Sequence, residues 1–542
     1  MNGLMMDAPL LISNLLRHAE RCHGDTEIVS RRVEGGEGED RFHRYTWREA
    51  AQRSRQLAKA LLRQGIKADD RVGTLAWNGY RHLELYYGVS GIGAVLHTVN
   101  PRLFPEQIAW IINHAEDRVM CFDINLAPLV EKLAPLCPSV QTWVALADAT
   151  HMPRQAIANL VCYEDWLAAE DDDFEWPQFS EFQAAGLCYT SGTTGNPKGA
   201  LYTHRSSLLH AYGSSLPDVL NLSAQDVVLP IVPMFHVNAW GIPYSAPLVG
   251  CKLVLPGAAL DGASLCELFT QEQVTFSAGV PTVWLGLLQY VRESGKKPGA
   301  LKRCIVGGSA CPPALMEAFD KELGIRLQSG WGMTETSPLG AVNSLKAKHL
   351  GLPAEQRRAQ ELKGGRLVFG VEAKIVDGDG RELPRDGVAF GDLLVRGPWV
   401  IDRYYRGETS PLVDGWFPTG DVATIDADGF IGITDRSKDV IKSGGEWISS
   451  IELENIAMSH PAVAEAAVIG VAHPKWDERP LVVAVLKAGA QLDRDELLRH
   501  FEGKIAKWWM PDDVAFVTEL PHTATGKVQK LKLREQFAAR SA

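Results

Sequence analysis

Short apolar runs recur through the middle of the chain, each followed by a stretch with helical spacing. The runs Gly186–Tyr189, Val227–Ile231, Cys251–Leu255, Val274–Ser277, Cys304–Val306 and Ile325–Gln328 are bounded by turn residues and read as strands. Between them, Ala263–Thr270, Val283–Val291 and Pro313–Leu323 carry the period of helices. The unit Ala58–Thr98 repeats the rhythm earlier in the chain. Strands alternating with helices predict an α/β fold with doubly wound, largely parallel sheets. From Arg366 to Val400 the pattern changes to strands with turns such as Asp377-Gly378-Asp379-Gly380, which predicts a small β-rich subdomain over about 364–434. Beyond Asp435 a helix near Glu452–Ser459, strands near Ala466–Gly470 and Leu481–Leu486, and a helix near Asp493–Ala506 predict a small α+β domain. The division is therefore a large N-terminal domain, 1–434, and a small C-terminal domain, 435–542. The charged stretches Glu34–Asp40 and Glu170–Asp173 read as solvated loops.

Composition narrows the function classes. The 542 residues contain 55 Lys plus Arg and 66 Asp plus Glu, a formal charge of −11, which argues against a general nucleic-acid or anionic-membrane binder. The nine cysteines form no C-x-x-C pair, so neither a disulfide framework nor a zinc ribbon is expected, and a cytoplasmic setting with buried thiols fits best. No signal peptide is read at the N-terminus. Val227 to Cys251 holds no Asp, Glu, Lys or Arg over 25 residues. Pro230, Pro233, Pro243 and Pro247 exclude a single membrane helix there. The stretch reads instead as buried strand and pocket wall, and no transmembrane segment is expected.

The densest chemical signal is Tyr189-Thr190-Ser191-Gly192-Thr193-Thr194-Gly195-Asn196-Pro197-Lys198-Gly199, placed after a strand and before a helix. Its glycines let backbone N–H groups approach an anion, its hydroxyls add donors, and Lys198 adds charge. It is not the G-x4-G-K-[ST] loop, since Lys198 follows Gly195 by three residues with a proline between. Further along come Phe235-His236, Gly307-Gly308-Ser309-Ala310, Gly330-Trp331-Gly332-Met333-Thr334-Glu335 and Thr419-Gly420-Asp421. Asp435-Arg436-Ser437-Lys438-Asp439, Lys442-Ser443-Gly444-Gly445 and Thr525-Gly526-Lys527 complete the series. Glu335 is a carboxylate at a Gly-rich turn that can hold Mg²⁺ against phosphate oxygens. Trp331 and the glycines of 307–310 can sandwich a base. Asp421 can accept two hydroxyls, as a ribose offers.

In order and over roughly Leu11 to Leu533, these motifs resemble the adenylate-forming superfamily of acyl-CoA synthetases, peptide-synthetase adenylation domains and luciferases. The resemblance implies ATP and CoA as co-substrates, Mg²⁺ as cofactor, and a mobile C-terminal domain hinged at Asp435. It implies a nucleotide set of Thr190, Ser191, Gly192, Thr193, Thr194, Gly195, Lys198, Gly308, Ser309, Ala310, Ser329, Gly330, Trp331, Gly332, Met333, Thr334, Asp421, Arg436, Lys438 and Lys442. Thr190 and Glu335 are placed near the metal. Lys527 reaches the α-phosphate and the substrate carboxylate, and so is catalytic with Glu335 and His236. CoA is assigned to Lys442, Ser443, Gly444, Gly445, Glu446 and Trp447. His522 stands where relatives often carry Arg or Lys.

On the acyl side the resemblance implies His236, Trp240 and Gly332. Amino-acid-activating relatives usually carry Asp where His236 stands, so a simple carboxylic acid is favoured. Trp240 resembles the gate tryptophan of bacterial fatty acyl-CoA synthetases; a static core aromatic is the plainer alternative. Overall similarity is greatest to medium-chain fatty acyl-CoA ligases of the alkane-degradation type, with methylmercaptopropionate-CoA ligases nearly as similar. The expected partners are thus ATP, CoA and a carboxylic (fatty) acid, and a homodimer is compatible with the resemblance. A luciferase-like oxidase and a non-catalytic acyl-binding protein are the readings from other classes.

Overall fold

The computed structural model describes residues 1, 3–190, 196–443, 446–522 and 528–538. Three sheets organise them. The first runs Leu160–Cys162, Thr142–Ala145, Asp117–Phe122, Arg71–Leu75, Val95–Thr98, Ala184–Tyr189, Gly199–Thr203, parallel throughout except for its last pair. That last antiparallel hairpin sets Tyr189 opposite Gly199 and carries the Gly-rich loop at its tip.

The second sheet has thirteen strands among the described residues. Its parallel half contains Glu27–Arg31, Lys252–Leu255, Val227–Pro230, Phe276–Gly279, Arg303–Val306 and the start of Arg326–Gly332. Arg326–Gly332 pairs parallel with Arg303–Val306 over its first half and antiparallel with Leu339–Val342 over its second. Through it the antiparallel strands Gly365–Leu367, Phe430–Arg436, Phe417–Ile425, Phe390–Arg396 and Glu372–Val376 continue the same ladder. The β-rich segment is thus hydrogen-bonded into the large sheet rather than set apart from it.

The third sheet belongs to the C-terminal segment. Val463–His473 and Asp477–Leu486 form a long hairpin, and Asp477–Leu486 also pairs at its start with Ile441–Ser443, itself paired with Glu446–Ile448, and further along in parallel with Asp513–Phe516.

Local chemistry explains the main helices. Trp47–Arg63 starts at a capping box in which Thr46 and Glu49 satisfy each other's backbone N–H groups. Asp261 caps Gly262–Gln271 through Ser264 N. Tyr80–Gly91 is buried along its whole length, charged residues included. Its Glu84 receives Arg53 at 2.7 Å and Tyr163 Oη at 2.7 Å, and its Arg81 binds Glu164 at 2.7 Å and also Glu34. Each buried charge has a partner, as burial requires.

The elements depart from the sequence reading in four places. The strand expected at Val274–Ser277 lies at Phe276–Gly279: Val274 N closes the end of the preceding helix on Phe269 O, and Thr275 leads into the sheet by donating to Val227 O. The helix expected over Pro313–Leu323 is α-helical only through Ala318 and closes as a π turn over Phe319–Leu323. The helix near Asp493–Ala506 stops at Phe501, before Gly503 in the left-handed region. Neither charged stretch is simply solvated: Glu34 is an inward ion-pair partner of Arg81, with its side chain 1% exposed, and Lys59, Arg55 and Arg63 tie down Asp171, Asp172 and Glu170. All nine cysteines are free thiols and seven are buried. Among the described residues no helix is long and apolar enough to cross a membrane.

Candidate functional site

The Gly-rich loop rises from a closed base. Thr190 N donates to Lys198 O at 2.9 Å, and Lys198 N to Thr190 Oγ1 at 3.4 Å. Ser191, Gly192, Thr193, Thr194 and Gly195 lie outside the described residues, as do Gly444, Gly445 and Lys527. Gly199 is packed so tightly that a Cβ would stand 3.0 Å from Leu187 and 3.2 Å from Tyr189 and Tyr405. The exposed Lys198 ammonium lies 5.0 Å from the Tyr404 ring centroid. The Tyr404 phenol donates to Glu335 Oε1 at 2.7 Å. Glu335 is buried, and its carbonyl accepts from Ile401 N at 2.9 Å. Burial, reinforced by the Glu335 charge, holds the Tyr404 phenol above its ordinary value, so it remains a donor.

A second cluster forms where Arg326–Gly332 meets the antiparallel strands. Trp331 Nε1 donates to Asp421 Oδ2 at 2.9 Å, and Arg436 Nε pairs with Asp421 Oδ1 at 2.9 Å. Asp421 and Arg436 are cross-strand neighbours, so the ladder sets their spacing. The Trp331 ring lies over Gly340, where a Cβ would come within 2.3 Å of it. At Gly332 a Cβ would fall 2.0 Å from Pro338 O, so no other residue fits that turn. Gly308 adopts φ +82°, and Gly308, Ser309 and Ala310 form an exposed turn after Arg303–Val306. Ser329 is buried against Met316 Sδ, and Thr334 O accepts from Tyr202 Oη at 2.7 Å. Met333 is half-buried against the core.

The wall Pro233–Gly241 is set by buried polar residues that carry no motif. Asn78 donates to Pro230 O at 2.9 Å and Val232 O at 3.0 Å and accepts from Met234 N at 2.6 Å. Tyr86 Oη donates to Met234 O at 2.6 Å and lies 3.2 Å from Asn238 Oδ1. Then Val237, Asn238, Ala239, Trp240 and Gly241 follow one another with φ from +40° to +79°. Four of the five have a side chain, so this left-handed turn is strained and must be held by its surroundings. His210 supports it from below: a Cβ at Gly241 would stand 2.7 Å from its ring, while its Nε2 accepts from Leu339 N at 3.2 Å. The half-buried Trp240 lies against Gly307, where a Cβ would stand 3.0 Å from Cη2 of the indole and 2.9 Å from Gly330 O. His236 is half-buried at the start of the turn.

At the expected hinge, Asp435 is 1% exposed. Its Oδ1 accepts from Arg436 N at 2.7 Å and its Oδ2 from Ser450 N at 2.6 Å, tying the last strand of the large sheet to the helix Ser450–Met458. Burial pushes its carboxyl above the usual range, and burial pushes the Lys438 ammonium below its own. Lys442 N donates to Glu478 Oε2 at 2.9 Å, and Ser443 Oγ accepts from Arg479 at 3.2 Å. Glu446 and Trp447 lie on the short strand Glu446–Ile448. Lys442, Ser443, Glu446 and Trp447 lie on strands of the C-terminal sheet, a different sheet from the one that carries Trp331, Asp421 and Arg436.

The geometry therefore joins Lys198 with Glu335, Trp331 with Asp421 and Arg436, and Trp240 with Gly307. Tyr404, Asn78, Tyr86 and His210 escaped sequence reading. Tyr404 stands in the charged stretch Asp402-Arg403-Tyr404-Tyr405-Arg406-Gly407-Glu408, which reads as a solvated loop, and the others look like ordinary core polar residues.

The donor set suits Mg²⁺ in one specific way. No group of three His, Cys, Asp or Glu converges among the described residues, which excludes an all-protein cage there. A single buried carboxylate fits a hydrated Mg²⁺ that takes its remaining ligands from water and phosphate oxygens.

Comparison with known proteins places the chain in a family. The family model of the AMP-binding enzymes matches residues 15–405, and that of the AMP-binding enzyme C-terminal domain matches 452–527. The chain is 53% identical to a 3-methylmercaptopropionyl-CoA ligase of Ruegeria lacuscaerulensis over 99% of both chains. It is 49% identical to a medium-chain-fatty-acid–CoA ligase of Ectopseudomonas oleovorans, covering 99% of this chain and 98% of that one. The crystal structure of the anthranilate CoA ligase AuaEII in complex with anthranoyl-AMP superposes with a TM-score of 0.85 at 26% identity, over 98% of this chain and 99% of that one. The chain belongs to the AMP-binding, adenylate-forming enzymes, among their AMP-forming acid–CoA ligases.

Proposed function

We propose that this ligase activates an unbranched carboxylic acid with an uncharged tail of short to medium length. The observation that carries the reading is the wall from Val227 to Cys251, which holds no Asp, Glu, Lys or Arg and presents Trp240 against Gly307. Such a wall has no carboxylate to partner an α-ammonium, and burying one there would be costly. The similar proteins named above act on 3-methylmercaptopropionate and on medium-chain fatty acids. Both acids pair a carboxylate with a flexible apolar tail, the thioether behaving much as a methylene does.

The reaction has two halves. In the first, a carboxylate oxygen of the acid attacks the α-phosphorus of ATP, the bond to the bridging oxygen breaks, and pyrophosphate leaves. Lys527 neutralises charge at the α-phosphate and the acid carboxylate, while Lys198 and the amides of its loop receive the outer phosphates. Glu335 and Thr190 would hold Mg²⁺, which would supply further neutralisation of phosphate charge. Trp331, Ser329 to Thr334 and Gly308 to Ala310 form the base pocket, and Asp421 receives the ribose. In the second half, the C-terminal domain, 435–542, turns about Asp435. The CoA thiolate then attacks the acyl carbonyl, and AMP leaves with the electron pair of the broken C–O bond. Lys442, Ser443 and the residues to Trp447 are assigned to the CoA side of that step, and Arg436 and Lys438 to the nucleotide.

The test is AMP release and thioester formation with a panel of acids. It should include straight-chain acids from short to long, 3-methylmercaptopropionate, an aromatic acid and amino acids. Highest kcat/KM among the unbranched short and medium acids is expected. Preference for an amino or aromatic acid would overturn the reading, as would O₂ uptake or light emission with acyl-AMP in place of thioester formation.

A further inference from the structure

Tyr404 bridges two groups that the nucleotide reading assigns to different parts of ATP. Its hydroxyl donates to Glu335 Oε1 at 2.7 Å, and its ring stands 5.0 Å from Lys198 Nζ. The backbone around it is fastened on both sides. Ile401 N donates to Glu335 O at 2.9 Å, Tyr405 N donates to Gly199 O at 2.7 Å, and Arg406 pairs with Glu116 at 2.7 Å. Residues 401–406 therefore stitch the turn that carries Glu335 to the base of the Gly-rich loop. A phenol on so fixed a segment has little freedom, and its bond to a carboxylate is of the strong, charge-assisted kind.

We infer that Tyr404 is a positioning residue for metal–nucleotide binding: by occupying one oxygen of Glu335 it turns the other toward Mg²⁺, and its ring steers Lys198 toward the outer phosphates. Outer partners of metal ligands orient and tune them in this way, and their loss typically costs 10–100-fold in metal affinity. The inference rests on the assignment of Glu335 to the metal and Lys198 to phosphate.

The test is equilibrium binding of ATP without acid or CoA, measured by calorimetry in excess Mg²⁺ and again in EDTA. The ratio of the two affinities is the gain due to metal. Tyr404→Phe keeps the ring and removes the hydroxyl, so the gain should shrink by about tenfold, with metal-free binding unchanged. Tyr404→Leu should in addition weaken metal-free binding by a few-fold, through loss of the ring beneath Lys198. Glu335→Gln should abolish most of the gain, and adding Tyr404→Phe to it should cost little more. A full metal gain in Glu335→Gln would refute the metal assignment itself. A lost gain in Glu335→Gln beside a wild-type gain in Tyr404→Phe would overturn only the positioning role. A lower unfolding temperature for Tyr404→Phe with its metal gain intact would overturn it too, by showing a purely structural bond.

Discussion

On the side of the site that we assign to the nucleotide, each described polar group named here is fixed by a directed contact: Tyr404 to Glu335, Trp331 to Asp421, Asp421 to Arg436. On the acyl side, the wall from Pro233 to Gly241 keeps its shape through packing and a strained left-handed turn, with Asn78, Tyr86 and His210 as distant props. The difference matters for how each side fails. Removing one partner of a directed contact strands the other, at about 1–3 kcal/mol or more when charge is involved. Changing a packed wall alters volume, and volume acts by small increments per methylene. Nucleotide chemistry should therefore respond steeply to single substitutions, and acid selectivity gradually.

The steepest break is expected at Lys527. Lys527→Ala should lower adenylation by on the order of 10²–10³-fold, as for loss of one transition-state donor. Thioester formation from supplied acyl-AMP should largely survive, and the ranking of acids should stay as in wild type. Equal loss in both half-reactions, followed by pyrophosphate release and by thioester yield, would contradict the domain alternation.

Asp421→Asn comes next. It removes the charge opposite Arg436 and keeps one acceptor for Trp331 Nε1. ATP KM should rise about tenfold, in line with a lost charge-assisted bond, while acid KM stays constant. A parallel rise in both constants would show that the two sides are not separable.

The props of the acyl wall can be probed by pH. Burial pushes His43, His82 and His204 down to about 4 and His210 to about 3. Folded values below the unfolded 6.5 mean that the unfolded chain takes up extra protons below that pH. Stability is then complete above pH 6.5 and is lost as pH falls toward 4. Each histidine contributes a slope of about 1.4 kcal/mol per pH unit within the window. Melting temperature should fall steadily between pH 6.5 and 5, before most carboxylates titrate. His210→Gln should flatten that fall, and a melting temperature independent of pH over the interval would exclude buried neutral histidines.

The same contrast decides what a sequence reveals. The Gly-rich loop, Trp331, Glu335 and Asp421 stood out because the phosphate, base and ribose chemistry proposed for them calls for particular residue types at particular turns. Strands such as Arg303–Val306 and Lys252–Leu255 were legible because fully buried parallel strands are continuous apolar runs. Of Arg326–Gly332 only the first half was legible as a strand, at Ile325–Gln328; its continuation to Gly332 and its switch from a parallel to an antiparallel neighbour depend on residues far along the chain. The turn at 237–241 was hidden because only Gly241 announces positive φ; the other four take it under constraint from contacts distant in sequence. Tyr404 was hidden for the same reason, its partners Glu335 and Lys198 lying 69 residues and more than two hundred residues away. Glu34 read as solvated because its partner Arg81 belongs to a helix whose full burial no local pattern shows.

Trp240 is where the two sides meet, and it offers the smallest and most telling effect. Trp240→Ala should open the wall beside Gly307, so that each added methylene in the acid gains about 0.8 kcal/mol, roughly fourfold in kcat/KM, over lengths that wild type rejects. The measurement is kcat/KM across straight-chain acids from short to long for both proteins, with ATP KM and thermal unfolding recorded on the same preparations. A profile displaced toward longer acids, with ATP KM unchanged, is the expected result. A variant destabilised by about 3–5 kcal/mol that keeps the wild-type profile would make Trp240 an ordinary core residue and contradict the separation of the two sides.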